Sequence, residues 1–346
     1  MKKVLILFGG VSSEHEVSLV SAAGVLANID RTKYDVIPVG ITKDGAWRLM
    51  DGKPITEDAM SDASLPSVAV DPGRHGIIIL RGDKCDYVKV DAVFPVMHGA
   101  NGEDGTMQGL FAIAGIPCVG SDCEASAIGM DKAATKAVLN QAGIRQAEAV
   151  VLESSDIHND GTAEMLESAL GYPMFVKPSR AGSSVGISKV KTPSELIPAL
   201  EEAAAHDTKL LIEKYVKGRE IEVAVLEENG SLTVSVPAEI DPGCEFYDYD
   251  AKYNTDTSSF YIPARVSDAE AADVRALAAR IFTLLGCKGL SRVDFFIRPD
   301  GEFVFNEINT LPGFTPISMY PKLMQHAGLS YTELISRLIE AAIKTK

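Results

Sequence analysis

Two short acidic segments near the C-terminal end, Arg292–Phe296 and Phe305–Gly313, constrain the fold of this chain more than any other feature. Arg298-Pro299-Asp300-Gly301 between them is a turn sequence, so the segments read as the arms of a hairpin. Successive side chains on a strand point to opposite faces. Glu307 and Asn309 therefore leave the second arm together, Asn306 and Ile308 leave on the other side, and Asp294 on the first arm can join the former pair. Two carboxylates and an amide converging in this way are three oxygen ligands for a hard divalent cation. That is the geometry of a nucleotide-dependent enzyme.

With 346 residues, 46% of them hydrophobic, the chain can bury substantial cores and is expected to divide into two or three compact units. Lys2 to Phe8 reads as a first strand, followed by a glycine turn and a helix to about Leu26. Tyr34–Val39 and Val90–Val96 repeat the short β-branched pattern with helix or loop between, the rhythm of a parallel sheet ending near residue 120. Farther on, Asp131 caps a helix that stops at Gly143, and Thr192/Glu195, Ser267/Glu270 and Ser330/Glu333 are capping boxes. The runs Met174–Lys177, Lys209–Tyr215, Glu220–Glu227 and Leu232–Val236 between them predict an antiparallel α+β region.

Charge and cysteine content exclude several roles. Thirty-three basic against forty-eight acidic residues give a net charge of -15, which repels phosphate backbones and anionic membrane surfaces. Nucleic acid and stable membrane association are therefore not expected. The apolar opening Val4–Phe8 is too short for a spanning helix or a signal-peptide core, which predicts a cytoplasmic protein. Cys85, Cys118, Cys123, Cys244 and Cys287 are odd in number and scattered, so buried thiols are expected rather than disulfides or a sulfur-bound metal.

Lys177-Pro178-Ser179-Arg180-Ala181-Gly182-Ser183-Ser184-Val185-Gly186-Ile187 joins two strands through glycines and serines whose amides and hydroxyls can cover phosphate oxygens, with Lys177 adding positive charge. The rival reading is a flexible surface hairpin. In Leu210–Val216, Glu213 can accept from an adenine amine, Lys214 can donate to a ring nitrogen and a peptide near Val216 can complete the edge, unless the segment is a solvated strand end. Lys132 after a helix cap is either another phosphate cation or plain surface. Gly9–Ser18 lies where a first strand meets its helix; Glu14, His15 and Glu16 cannot all face inward, so one carboxylate can clamp an ammonium or simply cap the helix. His98 opens a second glycine-rich turn, His98–Gly105, at a strand end. Glu239–Asn254, crowded with tyrosines and charges, reads as a segment that closes over a cleft or as a solvent-facing loop.

Taken together, Gly9–Leu19, His98–Gly109, Met130–Lys136, Lys177–Lys189, Glu213 with Glu220, Phe246–Tyr253 and Arg292–Gly313 resemble the D-alanine–D-alanine ligases of the ATP-grasp superfamily across essentially the whole chain. The resemblance implies a three-domain α/β and α+β ATP-grasp fold: residues 1–120 an N-terminal substrate-binding domain with a parallel sheet, 121–212 a central domain and 213–346 a C-terminal domain, the last two enclosing ATP. It implies a homodimer that uses ATP and Mg2+, two ions, with Mn2+ able to substitute. By matched position Lys132, Lys177, Ser183, Ser184, Lys252, Phe296, Asn306 and Glu307 resemble the ATP contacts, Glu213, Lys214 and Val216 the adenine contacts, and Glu220 the ribose contact. Asp294, Glu307 and Asn309 resemble the metal ligands. Glu16, with Ser183 and Tyr253, is similar to the group that orients the first D-alanine, near His98; Arg292 and the Gly313 amide resemble oxyanion stabilisers, and Ser318 a contact to the second carboxylate.

The reaction so implied is activation of one D-alanine as an acyl phosphate and attack by a second, giving D-alanyl-D-alanine, ADP and phosphate for peptidoglycan precursors. Ala181 departs from the glutamate many relatives carry, whereas Tyr253 matches the dipeptide-forming branch rather than the depsipeptide-forming one, which tends to carry phenylalanine. The alternatives are a ligase preferring D-serine or D-lactate, a carboxylate–amine ligase making another metabolite, and a regulator that binds ATP without chemistry.

Overall fold

The computed structural model describes residues 1–241 and 259–344. Three sheets organise them. In the first, strands run in the order Lys84–Lys89, Gly76–Arg81, Ser67–Asp71, Trp47–Leu49, Tyr34–Ile41, Lys2–Gly9, Ala92–Pro95. Lys2–Gly9 is parallel to both neighbours, with Val4 opposite Val36 and Ala92. Val4 to Phe8 are fully buried, as a strand covered on both faces must be. The expected parallel rhythm stops there, because the other four strands add on antiparallel. The connections explain the change: Gly82-Asp83 is a two-residue hairpin loop, with Gly82 at φ 58°, and leaves no length for a crossover.

The middle sheet has the order Ser188–Val190, Met174–Pro178, Lys209–Lys214, Ala149–Glu153, antiparallel throughout, and helices Thr162–Leu170 and Pro193–Ala204 bury Leu166, Leu196 and Leu200 against it. The third runs Ser259–Tyr261, Ala238–Asp241, Arg219–Glu228, Leu290–Ile297, Phe303–Asn309, with Ser231–Val234 pairing onto Arg219–Glu228, and is also antiparallel. Period two along Arg219–Glu228 divides two cores. Ile221, Val223 and Val225 pack toward helix Asp268–Leu284, while Ala224 and Leu226 face helices Met319–His326 and Tyr331–Lys344. Those two C-terminal helices also pack against Phe8 and Phe94 of the first sheet, so one core joins the two ends of the chain.

The division expected at 212/213 is displaced by this packing. Strand Lys209–Lys214 belongs wholly to the middle sheet. Helices Cys123–Met130 and Lys132–Gln141 place Ala125 and Leu139 in the core of the third sheet, with Ile144 just beyond them. Residues 149–214 are thus the middle unit. The Ser267/Glu270 capping box forms both reciprocal bonds, whereas Thr192 makes no side-chain cap and only Glu195 closes back, onto Lys191 N at 2.7 Å. Of the cysteines, Cys287 is buried and Cys118 half-buried, but Cys85 and Cys123 are exposed, which corrects the buried-thiol expectation; none is in a disulfide among the described residues, and Cys244 lies outside them. No helix among those residues is long and apolar enough to cross a membrane.

Candidate active site

The three sheets surround a cavity of about 580 Å³. Its floor is the hairpin Leu290–Ile297/Phe303–Asn309, closed by Gly301 N donating to Arg298 O at 2.9 Å. Register sets Asp294 opposite Glu307 and Arg292 opposite Asn309. The Asn309 amide nitrogen donates to Asp294 Oδ2 at 3.0 Å, and Arg292 grips both Asp294 oxygens at 2.8 and 2.7 Å while reaching Glu222 at 3.2 Å. Burial disfavours the Arg292 charge, but Asp294 and then Glu222 outweigh it and hold the guanidinium pKa well above its ordinary value. The donor set suits a magnesium-type ion: two carboxylates and an amide oxygen are the hard oxygen donors that such an ion takes alongside phosphate oxygens and water.

Above the hairpin, Lys132 Nζ lies 3.6 Å from Glu307 and donates to Ala181 O at 2.8 Å, fastening the serine loop. Ser183 and Ser184 occupy left-handed backbone at φ 48° and 60°, which non-glycine residues seldom adopt. Lys177 Nζ is 2.5 Å from Glu213 Oε2. Burial works against the Glu213 carboxylate's charge, yet Lys177 and Lys136 together bring its pKa down to about 2. This carboxylate is committed to lysines, and Lys214 Nζ turns outward to Glu148 at 3.3 Å. Glu213 and Lys214, the expected adenine contacts, both line the cavity with these ion pairs in place, and the main chain of the same segment lies beside them. Val216, Glu220, Phe296 and Asn306 line the same end of the cavity, with Phe175 and Tyr215 adding ring surface.

At the other end the carboxylate that faces the cavity is Glu14, not the expected Glu16. Glu14 stands at the N-cap position of helix His15–Asn28 without a side-chain cap bond and is buried at 7% exposure, and Ser183 Oγ donates to its Oε1. Glu16, two residues and so about half a turn farther around the helix, points to solvent at 61% side-chain exposure and pairs with Lys43 at 2.7 Å. Gly182 is required by this contact, since a Cβ there would stand 2.5 Å from Glu14 Oε2. His98 Nε2 meets Ser21 Oγ at 3.1 Å; burial lowers its pKa against the pull of Glu14. Glu103 accepts from Gly99 N at 2.7 Å, and burial, reinforced by Glu14, pushes its carboxyl up to about 8. Ser318 Oγ accepts from Thr315 N at 3.0 Å, borders Gly313 and stands at the N-cap of helix Met319–His326, whose positive dipole end favours a carboxylate.

Every other expected site residue among those described lines the cavity: Lys132, Lys177, Ser183, Ser184, Glu213, Lys214, Val216, Glu220, Arg292, Asp294, Phe296, Asn306, Glu307, Asn309, Gly313, Ser318 and His98. Lys252 and Tyr253, with most of the expected closing segment, lie outside the described residues. The flanking strands Ala238–Asp241 and Ser259–Tyr261 pair with Asp241 opposite Ser259, and both Asp241 and Phe260 line the cavity. Sequence reasoning missed Glu103 and Glu222. The Gly102-Glu103-Asp104-Gly105 run carried a signal for the first; Glu222, two places along the strand from Glu220 and on the same face, was the signal for the second.

Two antiparallel sheets closing on a lysine-lined cleft with an acidic hairpin floor place this molecule among the ATP-grasp enzymes. A family model described as D-ala D-ala ligase N-terminus matches residues 3–121, and one described as D-ala D-ala ligase C-terminus matches 138–340. The chain belongs to the D-alanine–D-alanine ligase family. It is 49% identical to the D-alanine--D-alanine ligase of Clostridium novyi, over 99% of this chain and 98% of that relative, and 46% identical to that of Caldicellulosiruptor bescii, over 99% and 95%. Among solved structures it is similar to the VanG D-Ala:D-Ser ligase from Enterococcus faecalis, with a TM-score of 0.89 at 41% identity over 99% of each chain. The D-alanine-D-alanine ligase from Coxiella burnetii gives a TM-score of 0.85 at 33% identity, over 99% of this chain and 94% of that one.

Proposed function

We propose that this protein joins two D-alanine molecules with ATP, through D-alanyl phosphate, and so supplies D-alanyl-D-alanine to peptidoglycan precursor synthesis in the cytoplasm. The observation that supports the reading is that one cavity is lined by Glu14 with Ser183, groups suited to an ammonium, and by Lys177 with Asp294 and Glu307, groups suited to phosphate and metal. Lys132 and Lys177 take the nucleotide phosphates beneath Ser184 of the serine loop, Glu220 takes the ribose, and main-chain groups near Val216 take the base against Phe296, with Asn306 beside them. Asp294, Glu307 and Asn309 would hold magnesium, as two ions for which manganese can substitute, and the metal supplies charge neutralisation of the polyphosphate.

Glu14 orients the first D-alanine by its ammonium, near His98, so that its carboxylate faces the phosphates. The second D-alanine is held by its own carboxylate at Ser318 and the adjoining helix N-terminus. Arg292 and the Gly313 amide lie where negative charge develops on the attacked carbonyl, and their bonds strengthen in the transition state rather than in the ground state. Lys252 and Tyr253 belong to the closing segment and would follow the transferred phosphoryl and shield it from water. The working unit is a homodimer.

A second reading is favoured by the likeness to the VanG D-Ala:D-Ser ligase: D-serine as acceptor in place of the second D-alanine. Incubating the purified protein with ATP, magnesium and D-alanine, alone and with D-serine, D-lactate or L-alanine, and identifying products by mass and stereochemistry decides between them. The expected product is D-alanyl-D-alanine with one ADP per bond. D-Alanyl-D-serine as the main product selects the second reading, and ATP turnover with no coupled product removes both.

A further inference from the structure

Behind the nucleotide wall lies a buried charge cluster larger than the reaction above uses. Glu213 receives Lys177 Nζ on one oxygen at 2.5 Å and Lys136 Nζ on the other at 2.7 Å. Lys177 and Glu213 line the cavity; Lys136, on helix Lys132–Gln141 and only 7% exposed, does not. Lys136 Nζ also donates to Ala147 O at 3.1 Å, and Gln146 Nε2 donates back to Lys136 O at 3.1 Å. That connection crosses between two sheets: Phe305 N of the third sheet donates to Arg145 O at 2.9 Å, and Lys214 N of the middle sheet to Glu148 O at 2.9 Å.

A lone Lys177–Glu213 pair would be electrically neutral, and burying a second ammonium beside it carries a desolvation cost. With Lys136 present, two ammoniums share one carboxylate and the cluster keeps one net positive charge. We infer that Lys136 is a positioning residue for nucleotide binding: by taking one oxygen of Glu213 it keeps that carboxylate from cancelling Lys177, and through Ala147 it fixes the connection between the sheets that enclose the nucleotide. The inference rests on Lys177 being a phosphate contact, as proposed above. It assigns Lys136 no contact with substrate.

The test is ADP affinity, measured by calorimetry with magnesium on the full-length protein, together with KM for ATP and for D-alanine. Lys136→Met weakens ADP binding roughly tenfold, the order expected for the loss of one net charge from the cluster that faces the phosphates, and raises KM for ATP while KM for D-alanine holds; Lys136→Arg restores both. Lys136→Met combined with Glu213→Gln returns the net charge to its original value and recovers ADP affinity, which a purely structural role for Lys136 does not predict. The double variant also serves if the single one fails to fold, because it leaves no carboxylate stripped of its second partner. Wild-type ADP affinity in Lys136→Met, or a double variant that folds yet binds ADP as weakly as the single, overturns the inference. Lys177→Met separates the two levels: lost ADP binding there keeps the phosphate assignment whatever Lys136 does, and unchanged binding removes the assignment itself.

Discussion

Two acids of the same motif, Glu14 and Glu16, have opposite fates. Both were visible as candidates, and the sequence also showed that they could not share a face. Choosing between them needed the start of helix His15–Asn28, because the residue that caps a helix turns inward here while the first-turn residue beyond it turns out. Glu14→Gln is expected to remove a buried charge-assisted contact, about 3 kcal/mol, on the order of a hundredfold in kcat/KM for the first D-alanine. Glu16→Gln breaks only an exposed pair and should stay within about twofold of wild type. Steady-state kinetics of the two variants side by side checks the assignment, and the reverse order of effects would restore Glu16. Glu103 offers a second check. Its folded carboxyl titrates near 8 rather than at the ordinary 4.5, through burial first and Glu14 second. The folded state therefore binds the extra proton between those values, so this group's contribution to stability is complete below 4.5 and falls away as pH rises to about 8. Glu103→Gln keeps a neutral side chain at every pH, and its melting temperature should decline less than that of wild type from pH 5 to 8.5, about the span of the shift. Parallel curves for the two proteins would mean that the carboxyl titrates normally.

The acidic hairpin was legible because strand period and turn chemistry are local, and the register Asp294↔Glu307 bears out the reading made from alternation alone. The serine loop was legible in composition but not in what it touches. Nothing near Gly182 in sequence announces Glu14, far earlier in the chain, yet the close approach of that carboxylate is what excludes a side chain at position 182. Likewise, the glycine turn at Gly82 was local information that the parallel rhythm of the first three strands obscured. The adenine strand was legible only in part: the lysines Lys136 and Lys177 that grip Glu213 reach it from other elements. Gly182→Ala follows from the loop geometry. A methyl group 2.5 Å from Glu14 Oε2 must push the carboxylate or the loop aside. The expected result is a rise in KM for the first D-alanine of at least about tenfold, with ADP affinity and the unfolding midpoint near wild type. Wild-type kinetics would show that loop and carboxylate do not meet in the working enzyme.

Across the whole molecule, sequence order and packing order differ. Helices Met319–His326 and Tyr331–Lys344 close the chain on its own beginning, placing Leu323, Leu334 and Leu338 in one core with Phe8 and Phe94 of the first sheet and Ala224 and Leu226 of the third. The middle sheet keeps a separate core around Leu166, Leu196 and Leu200. A reading along the chain could not reveal this, since amphipathic faces show that a helix is covered but not by which sheet. The expectation is two units of cooperativity, the first and third sheets joined through the C-terminal helices as one and the middle sheet as the other, with the nucleotide cleft between them. Leu338→Ala and Leu200→Ala each remove a fully buried side chain and should cost about 2–5 kcal/mol within their own core. Hydrogen exchange followed by mass spectrometry separates the effects. Leu200→Ala should speed exchange in residues 149–214 while strands Lys2–Gly9 and Arg219–Glu228 keep their protection; Leu338→Ala should loosen those two strands together and spare the middle sheet. If either substitution raised exchange evenly through all three sheets, the cores would be one cooperative unit, and the cleft would lie inside a single rigid body rather than between two.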